Sequence, residues 1–189
     1  MFDTVLVAGL GLMGGSMAKT IKARTLSRVL GWNRTRATAE QALADGSIDA
    51  IATDALFREV DLVIIGLYPQ ATVDWLLENM PKMKKGCVIV DMVGVKQFMV
   101  DHLEQAALDA GVHYVGGHPM AGREFSGLDY ALPTLFDGAS MIFVPTRSSS
   151  ERILSQLEAY FMSLGFGQTV RCTAEQHDHM IAFTSQLAH

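Results

Sequence analysis

The side chain in this sequence best placed for acid–base chemistry is a histidine set between two glycines and a proline. His118 lies in GGHPMAGREFSG, residues 116–127, where an apolar run has just ended. An imidazole titrates near neutral pH, so it can take the proton of an alcohol while a hydride leaves the same carbon. Glu124 in the same stretch can orient the ring or a nearby cation. The alternative is a histidine that only caps backbone groups at a strand end.

A hydride needs an acceptor, and the sequence contains a pattern typical of dinucleotide-binding loops. GLGLMGG, residues 9–15, fits G-x-G-x-x-G between an apolar strand and a helix-forming stretch. Gly9 allows the tight turn, Gly11 lets the backbone approach a pyrophosphate, and Gly14 lets the helix pack against the strand. The N–H groups of the first helical turn then hold the phosphates, and the Ser16 hydroxyl can add a donor. A plain glycine-rich turn is the alternative.

The residues after the second strand indicate which nucleotide is bound. An Asp or Glu there would bind the adenine ribose, but this sequence has Asn33 and Arg34. Asn33 can still hydrogen-bond a ribose hydroxyl, and Arg34, or Arg36 nearby, can pair with the 2′-phosphate of NADP. The residues therefore favour NADP or tolerance of both nucleotides, unless the arginines are simply solvated. The predicted cofactor contacts are Gly9, Gly11, Leu12, Met13, Gly14, Asn33, Arg34, Thr35, Leu67 and Pro69.

A regular α/β framework must position these residues, and the periodicity of the chain predicts one. Short β-branched runs alternate with helix-forming stretches along the sequence. Strands are predicted over 4–8, 28–32, 61–67, 87–91, 113–117, 140–145 and 168–172. Helices are predicted over 14–23, 35–45, 72–80, 95–110 and 150–164. This alternation is typical of a doubly wound, Rossmann-type, mostly parallel sheet.

Three predicted strand ends meet at one edge of this sheet. They are 66–69, where Pro69 is predicted to start a turn, 91–96, and the stretch around His118. Ligands bind along the carboxyl edge of such sheets, so the nicotinamide ring of a bound dinucleotide is expected here. The glycines beside His118 are expected to leave room for a substrate.

The last segment of the sequence differs from the βα units before it. Thr173 followed by Gln176 is a capping-box pattern that opens a helix. We expect residues 1–172 to form a dinucleotide-binding domain and residues 173–189 to begin a helical domain whose remainder is absent. The alternative is a final helix that packs on the sheet.

Composition limits the classes of protein to which the sequence can belong. Its 189 residues, 49% of them apolar, are enough for a sizeable core and exclude a disordered chain. A formal charge of −5 argues against a nucleic-acid or anionic-membrane partner. No apolar run is long enough to span a membrane, and the first residues do not resemble a signal peptide. Cys87 and Cys172 lack metal-ligand spacing, so we expect no metal centre. Free thiols are typical of the reducing cytoplasm, so we expect a cytoplasmic protein.

Four motifs together resemble the family of prephenate and arogenate dehydrogenases. They are GLGLMGGSMA, DMVGVK, GGHPMAGREFSG and EQHDHMIAFTSQLAH, and they span the chain. The resemblance implies an NAD(P)-dependent oxidative decarboxylation of prephenate to 4-hydroxyphenylpyruvate in tyrosine biosynthesis. Family members more often use NAD, against the preference drawn from Asn33 and Arg34. The resemblance also implies a homodimer when the helical domain is present.

The resemblance implies roles for individual residues. His118 matches the catalytic histidine that hydrogen-bonds the ring hydroxyl, and Glu124 matches an acidic residue at the edge of the active site. His189 matches the last histidine of a Ser-His-Leu-Pro-His signature, and some members carry a serine in place of Gly94. The substrate contacts implied in this way are Gly94, His118 and Ser126.

Two features of the sequence depart from the family pattern. In SQLAH, Gln186 stands in place of the first histidine of the signature and Ala188 in place of its proline. The arginine that holds a substrate carboxylate normally comes from the helical domain, so this chain alone is expected to be weakly active or inactive.

Other functions remain open from the sequence. An arogenate dehydrogenase differs only in substrate, and a β-hydroxyacid dehydrogenase or imine reductase shares the glycine pattern. A dinucleotide-binding module without catalysis is the alternative from a different class.

Overall fold

Strands and helices alternate along residues 1–187, which are the residues that the computed structural model describes. The strands are β1 (Thr4–Ala8), β2 (Arg28–Trp32), β3 (Ala50–Ile51), β4 (Leu62–Ile65), β5 (Val88–Asp91), β6 (His113–Pro119), β7 (Ser140–Val144) and β8 (Gln168–Arg171). The α-helices are α1 (Leu12–Arg24), α2 (Arg36–Ala44), α3 (Pro69–Asn79), α4 (Gln97–Ala110), α5 (Glu151–Ser163) and α6 (Ala174–Leu187). Within the described residues, every helix is too short or too polar to cross a membrane.

The strands form one sheet in the order β3-β2-β1-β4-β5-β6-β7-β8. Neighbouring strands pair in parallel except β6 and β7, which are antiparallel. The strand order reverses between β1 and β4, so a crevice opens at the carboxyl ends of these two strands. The doubly wound, Rossmann-type, mostly parallel sheet predicted from the sequence is confirmed.

Apolar side chains cover both faces of the sheet, as a parallel sheet requires. Successive residues of β1 point to opposite faces. Val5 and Val7 pack in the core formed with α1, α2 and α5, while Leu6 and Ala8 pack in the core formed with α3 and α4. The sheet is therefore a buried layer, and its carboxyl edge carries the loops in which the predicted site residues lie.

Several short elements differ from the sequence predictions, among them the 3₁₀ helices Met80–Lys82 and Leu128–Tyr130. Strand β3 and the 3₁₀ helix Asp54–Glu59 were not predicted, because two strand residues are too few to produce a recognisable alternation. Pro69 does not start a turn but is the first residue of α3, where a missing backbone N–H leaves no hydrogen bond unmade.

His118 lies inside a strand and not in a loop, which corrects the sequence prediction. Strand β6 pairs with β5 as far as Val115 and with β7 from Gly116 to Pro119. The glycines before His118 serve packing and do not leave room for a substrate. A Cβ at Gly117 would overlap the carbonyl oxygen of Asp91, and one at Gly116 would lie 2.9 Å from the Lys96 side chain.

Helix α6 begins with the predicted capping box. The Thr173 N–H donates to the Gln176 side chain, and the Gln176 N–H donates to the Thr173 hydroxyl, at 2.9 and 3.1 Å. Only Ala174 and His177 of the described part of the helix are buried. The first turn of α6 therefore packs on the domain, while most of the later residues are exposed. The division into domains at residue 172 stays a prediction.

Replacing Gly14 with alanine should lower the free energy of unfolding by about 3 kcal/mol. The new Cβ would overlap the carbonyl oxygen of Gly9, a backbone atom in a tight turn that cannot move aside. Urea denaturation measures the change. At Gly122 a Cβ would meet nothing within 4 Å, so Gly122→Ala is the control and should change stability by less than about 0.5 kcal/mol. Equal stabilities of the two variants would contradict this account of the loop.

Candidate functional site

A cavity of about 740 Å³ lies at the carboxyl ends of the central strands. Its walls are the loops that follow β1, β2, β4 and β5, together with Ser126 and Gly127 of the loop after β6. All predicted cofactor contacts except Gly14 and Thr35 line it, and so does Gly94. Thr35 is exposed at the start of α2. The cavity therefore occupies the crevice that the strand order creates.

The glycine loop leaves the start of α1 open toward this cavity. Gly9 has a φ of +87°, and a Cβ there would lie 2.7 Å from the Gly66 carbonyl oxygen, so a residue with a side chain would be strained. A Cβ at Gly11 would meet nothing within 4 Å, and no side chain caps the helix at this residue. The first N–H groups of α1 are consequently available to a phosphate, and these residues fit the pyrophosphate of a dinucleotide.

Ser16 does not face this position, which corrects the sequence prediction. It is fully buried, and its hydroxyl accepts a hydrogen bond from the Leu132 N–H at 3.0 Å. Its role is to attach α1 to the loop after β6. The glycine pattern alone gave no sign of this contact, because Leu132 is distant in the sequence.

Of the residues after β2, Asn33 forms hydrogen bonds within the domain, whereas Arg34 is exposed to a ligand. Asn33 accepts a hydrogen bond from the Leu10 N–H at 2.9 Å and donates to the Thr35 carbonyl oxygen at 3.1 Å. Its amide thus holds the glycine loop against the end of β2. Arg34 is exposed and lines the cavity, whereas Arg36 pairs with Glu40 at 2.8 Å on the surface of α2. Arg34 is therefore the cation best placed for a 2′-phosphate.

His118 lies beside the loop that carries Gly94. A Cβ at Gly94 would lie 3.9 Å from both Cε1 and Nε2 of His118, so this edge of the ring lies near Gly94, which lines the cavity, although His118 is not among the lining residues. The other ring nitrogen, Nδ1, is 2.8 Å from Nε2 of His177. Burial is the largest of the causes that lower the pKa of His118 from its ordinary value of 6.5 to about 4; the charge of Lys96 lowers it as well, while Asp91 and Asp178 oppose the change. At neutral pH the ring is uncharged and can accept a proton.

A buried ion pair that the sequence analysis missed fixes the loop with Gly94. Lys96 and Asp91 are both fully buried, and Nζ is 2.6 Å from Oδ1. Lys96 Nζ also donates to the Val93 carbonyl oxygen, and the Tyr114 hydroxyl donates to Asp91 Oδ2 at 2.7 Å. Burial and the Asp91 charge raise the pKa of Tyr114 well above its usual value, so the phenol keeps its proton. The signal in the sequence was an acid at a strand end with a lysine in the same short loop.

A second missed pair comes from the first turn of α6. His177 is fully buried, and its Nδ1 is 2.8 Å from Asp178 Oδ1. The same carboxylate accepts the N–H groups of Lys96 and Gln97 at 2.8 and 2.9 Å and so caps the start of α4. Partial burial opposes ionisation of Asp178, but the bonds from Gln97, His177 and Lys96 outweigh it and hold the pKa of this carboxyl below its usual value. The capping box placed His177 in the first helical turn, but the sequence did not indicate what that turn contacts.

The remaining predicted site residues are not brought to His118. Glu124 is exposed in the loop after β6 and makes no hydrogen bond or ion pair within the described residues. Ser126 lines the cavity. His189 lies outside the described residues. The catalytic roles of Glu124 and His189 stay predictions.

The fold and the cavity define a dinucleotide-binding domain of the doubly wound class, with an uncharged imidazole near the rim of the nucleotide groove. A family model described as "Prephenate dehydrogenase, nucleotide-binding domain" matches residues 17–168. The chain belongs to this family, and the resemblance drawn from the sequence motifs is confirmed. The glycine loop lies just before the matched residues.

Known relatives extend beyond the length of this chain. The prephenate dehydrogenase of Bacillus subtilis is 33% identical over 193 residues, which cover 100% of this chain and 52% of that protein. A structure of prephenate dehydrogenase from Aquifex aeolicus with hydroxyphenyl propionate and NAD+ is 25% identical, has a TM-score of 0.86, and is matched over 95% of this chain and 63% of that chain. A structure of Synechocystis arogenate dehydrogenase is 26% identical and has a TM-score of 0.88. It is matched over 97% of this chain and 64% of that chain. The chain spans about half the length of the first relative and less than two thirds of the other two.

The lowered pKa of His118 should appear in the pH dependence of stability. Between pH 6.5 and about 4 the unfolded chain binds a proton at this ring that the folded chain does not, so the folded state loses stability as pH falls through this window. Relative to His118→Asn, which cannot titrate there, wild type should lose up to about 1.4 kcal/mol per pH unit. Urea denaturation of both proteins at several pH values measures the difference. Parallel curves for the two proteins would show that the ring titrates normally.

Proposed function

We propose that the chain is the nucleotide-binding part of an NAD(P)-dependent dehydrogenase that converts prephenate to 4-hydroxyphenylpyruvate by oxidative decarboxylation. The observation that carries this proposal is the position of His118. Its Nε2 edge lies near Gly94, and Gly94 lines the same cavity as the open N-terminus of α1. Family membership, and a relative named as a prephenate dehydrogenase over the full length of this chain, support the choice of reaction.

The cofactor is proposed to bind along the cavity with its pyrophosphate at the start of α1. The backbone at Gly11, Leu12 and Met13 would hold the phosphates, and Leu67 and Pro69 would border the cofactor on the β4 side. When bound, a nicotinamide supplies the acceptor for the hydride. A relative was solved with NAD+, which supports NAD, while the free position of Arg34 supports use of NADP as well.

His118 is proposed to act as the general base. Its uncharged Nε2 accepts the proton of the ring hydroxyl while the hydride leaves the same carbon. Carbon dioxide leaves from the opposite ring carbon, and the electron pair of the broken bond passes through the ring to the oxygen. The ring becomes aromatic, and the oxygen takes the proton back from His118. Gly94 and Ser126 would border the substrate, because both line the same cavity. The ring is neutral at physiological pH and so needs no prior deprotonation before it accepts this proton.

Arogenate is the second candidate substrate. The Synechocystis relative is named as an arogenate dehydrogenase and matches this chain as well as the prephenate dehydrogenase from Aquifex aeolicus does. Both substrates carry the same ring hydroxyl and the same departing carboxylate, so His118 would act identically on either. They differ in the side chain, which carries an amine in arogenate and a ketone in prephenate. A homodimer, a helical domain after residue 172 and a cytoplasmic location also remain proposals.

Replacing His118 with asparagine should lower the turnover number by about a hundredfold or more, the size of effect expected for loss of a general base. The assay mixes the purified chain with prephenate or arogenate and with NAD or NADP, and follows the absorbance of the reduced nicotinamide. Nucleotide affinity, measured by calorimetry, should stay near that of wild type. His102→Asn is the control, because His102 is exposed on α4 and hydrogen-bonds only the Phe98 carbonyl oxygen within the described residues.

The outcomes separate the candidate functions. Equal loss of nucleotide binding in His118→Asn would mean that the histidine is structural. Nucleotide binding by wild type without turnover of either substrate fits both a non-catalytic module and a catalytic domain tested without its helical domain. Turnover on addition of the helical domain of a relative would exclude the module.

Replacing Arg34 with alanine should weaken NADP binding by about tenfold or more and leave NAD binding nearly unchanged. Only NADP carries the 2′-phosphate with which a guanidinium can form charge-assisted hydrogen bonds. Calorimetric titration with each nucleotide measures the effect. Arg36→Ala is the matched comparison, since Arg36 already pairs with Glu40. A comparable loss of NADP affinity in Arg36→Ala would place the phosphate-binding cation on α2 instead.

A further inference from the structure

We propose that His177 and Asp178 are positioning residues that hold His118 in the tautomer with a proton on Nδ1 and a free lone pair on Nε2. The catalytic consequence rests on the function proposed above, whereas the tautomer itself does not. The inference follows from a chain of hydrogen bonds that we call the relay. It runs from the backbone N–H groups at the start of α4 through Asp178 and His177 to His118.

The direction of the bonds is set at the carboxylate end. An ionised carboxylate only accepts hydrogen bonds, and Asp178 already accepts two backbone N–H groups. Its contact with His177 Nδ1 at 2.8 Å therefore requires a proton on that nitrogen. A neutral His177 then has a lone pair on Nε2.

The second imidazole follows from the first. His177 Nε2 lies 2.8 Å from His118 Nδ1, and with a lone pair on the first atom the proton must be on the second. A neutral His118 consequently carries no proton on Nε2. This is the ring nitrogen that lies near Gly94, one of the residues lining the cavity. The relay thus presents an acceptor at the position where the proposed reaction needs one.

Burial favours a neutral His118 ring, and the charged groups packed around it are paired with other residues. From β5 comes Asp91, whose charge is paired with the buried ammonium of Lys96 at the start of α4. From β6 the Tyr114 hydroxyl donates to Asp91. From α6 come His177 and Asp178. Since the two carboxylates are bound to partners on other elements, neither contacts His118 directly in the described structure.

The relay is held rigidly because one carboxylate does two things. Asp178 caps α4 through two N–H groups and orients the His177 ring at the same time. The capping box at Thr173 fixes the start of α6, and full burial of His177 leaves its ring no alternative position in water. Without an acceptor at His177 Nε2, the Nδ1 proton of His118 would have no partner, and a proton on Nε2 would be equally accessible.

Nuclear magnetic resonance of the ¹⁵N-labelled chain tests the tautomer directly. Two uncharged variants form a matched pair. In His177→Gln the amide oxygen can reach the place of Nε2 and still accept from His118, while the shorter side chain of His177→Asn reaches only the place of Nδ1. Wild type and His177→Gln should carry the His118 proton on Nδ1. In His177→Asn a large fraction should move to Nε2.

Three spectroscopic results would overturn the proposal. One is a His118 proton on Nε2 in wild type, the second is a doubly protonated His177 at neutral pH, and the third is the same His118 tautomer in all three proteins. The wild-type spectrum decides the first two even if a variant fails to fold.

Turnover tests the consequence for catalysis. His177→Asn should lower the turnover number by about tenfold or more, with the Michaelis constant and nucleotide affinity near wild type, and His177→Gln should restore most of the loss. A shifted tautomer with unchanged turnover would overturn the catalytic part. If wild type shows no turnover even when the helical domain of a relative is added, the proposed function fails, while the spectra still decide whether the relay exists.

Discussion

An ammonium and a carboxylate without access to water hold four elements of this domain together. Lys96 and Asp91 form this pair, which connects the end of β5 to the start of α4. The stem of the lysine lies against Gly116 of β6, and its backbone N–H is bound by Asp178 of α6. Removing one partner of a buried pair leaves an uncompensated charge at a cost of about 3–5 kcal/mol. The loop with Gly94 is therefore kept at a fixed distance from His118.

The framework of the domain could be predicted because its signals are local. Strand β1, the glycine loop and α1 follow one another within a few turns of chain, and each has its own pattern of apolar residues and glycines. The position of the nucleotide cavity follows from the strand order, which alternating βα units largely determine. The capping box at Thr173 was equally readable, because both of its side chains lie in one helical turn.

The contacts that complete the site are between residues distant in sequence, and no local pattern encodes them. Ser16 looked like a phosphate ligand, yet its hydroxyl is bound by Leu132. The two glycines before His118 looked like space for a substrate, yet they admit the backbone of β5 and the stem of Lys96. His177 followed the capping box with no role predicted for it, yet it is buried against His118. In each case the residue type indicated a possible role, but the sequence did not indicate which residue it contacts.

The cap on α4 has a consequence for the order in which a nascent chain can become organised. The carboxylate that binds the first N–H groups of this helix is 82 and 81 residues further along the chain. At about 5–20 residues per second, a ribosome needs on the order of 4–16 s to add that length. During this interval β5, α4 and β6 can already pair, but the helix start remains open to water. The chain around His118 reaches its final arrangement only after α6 has left the exit tunnel.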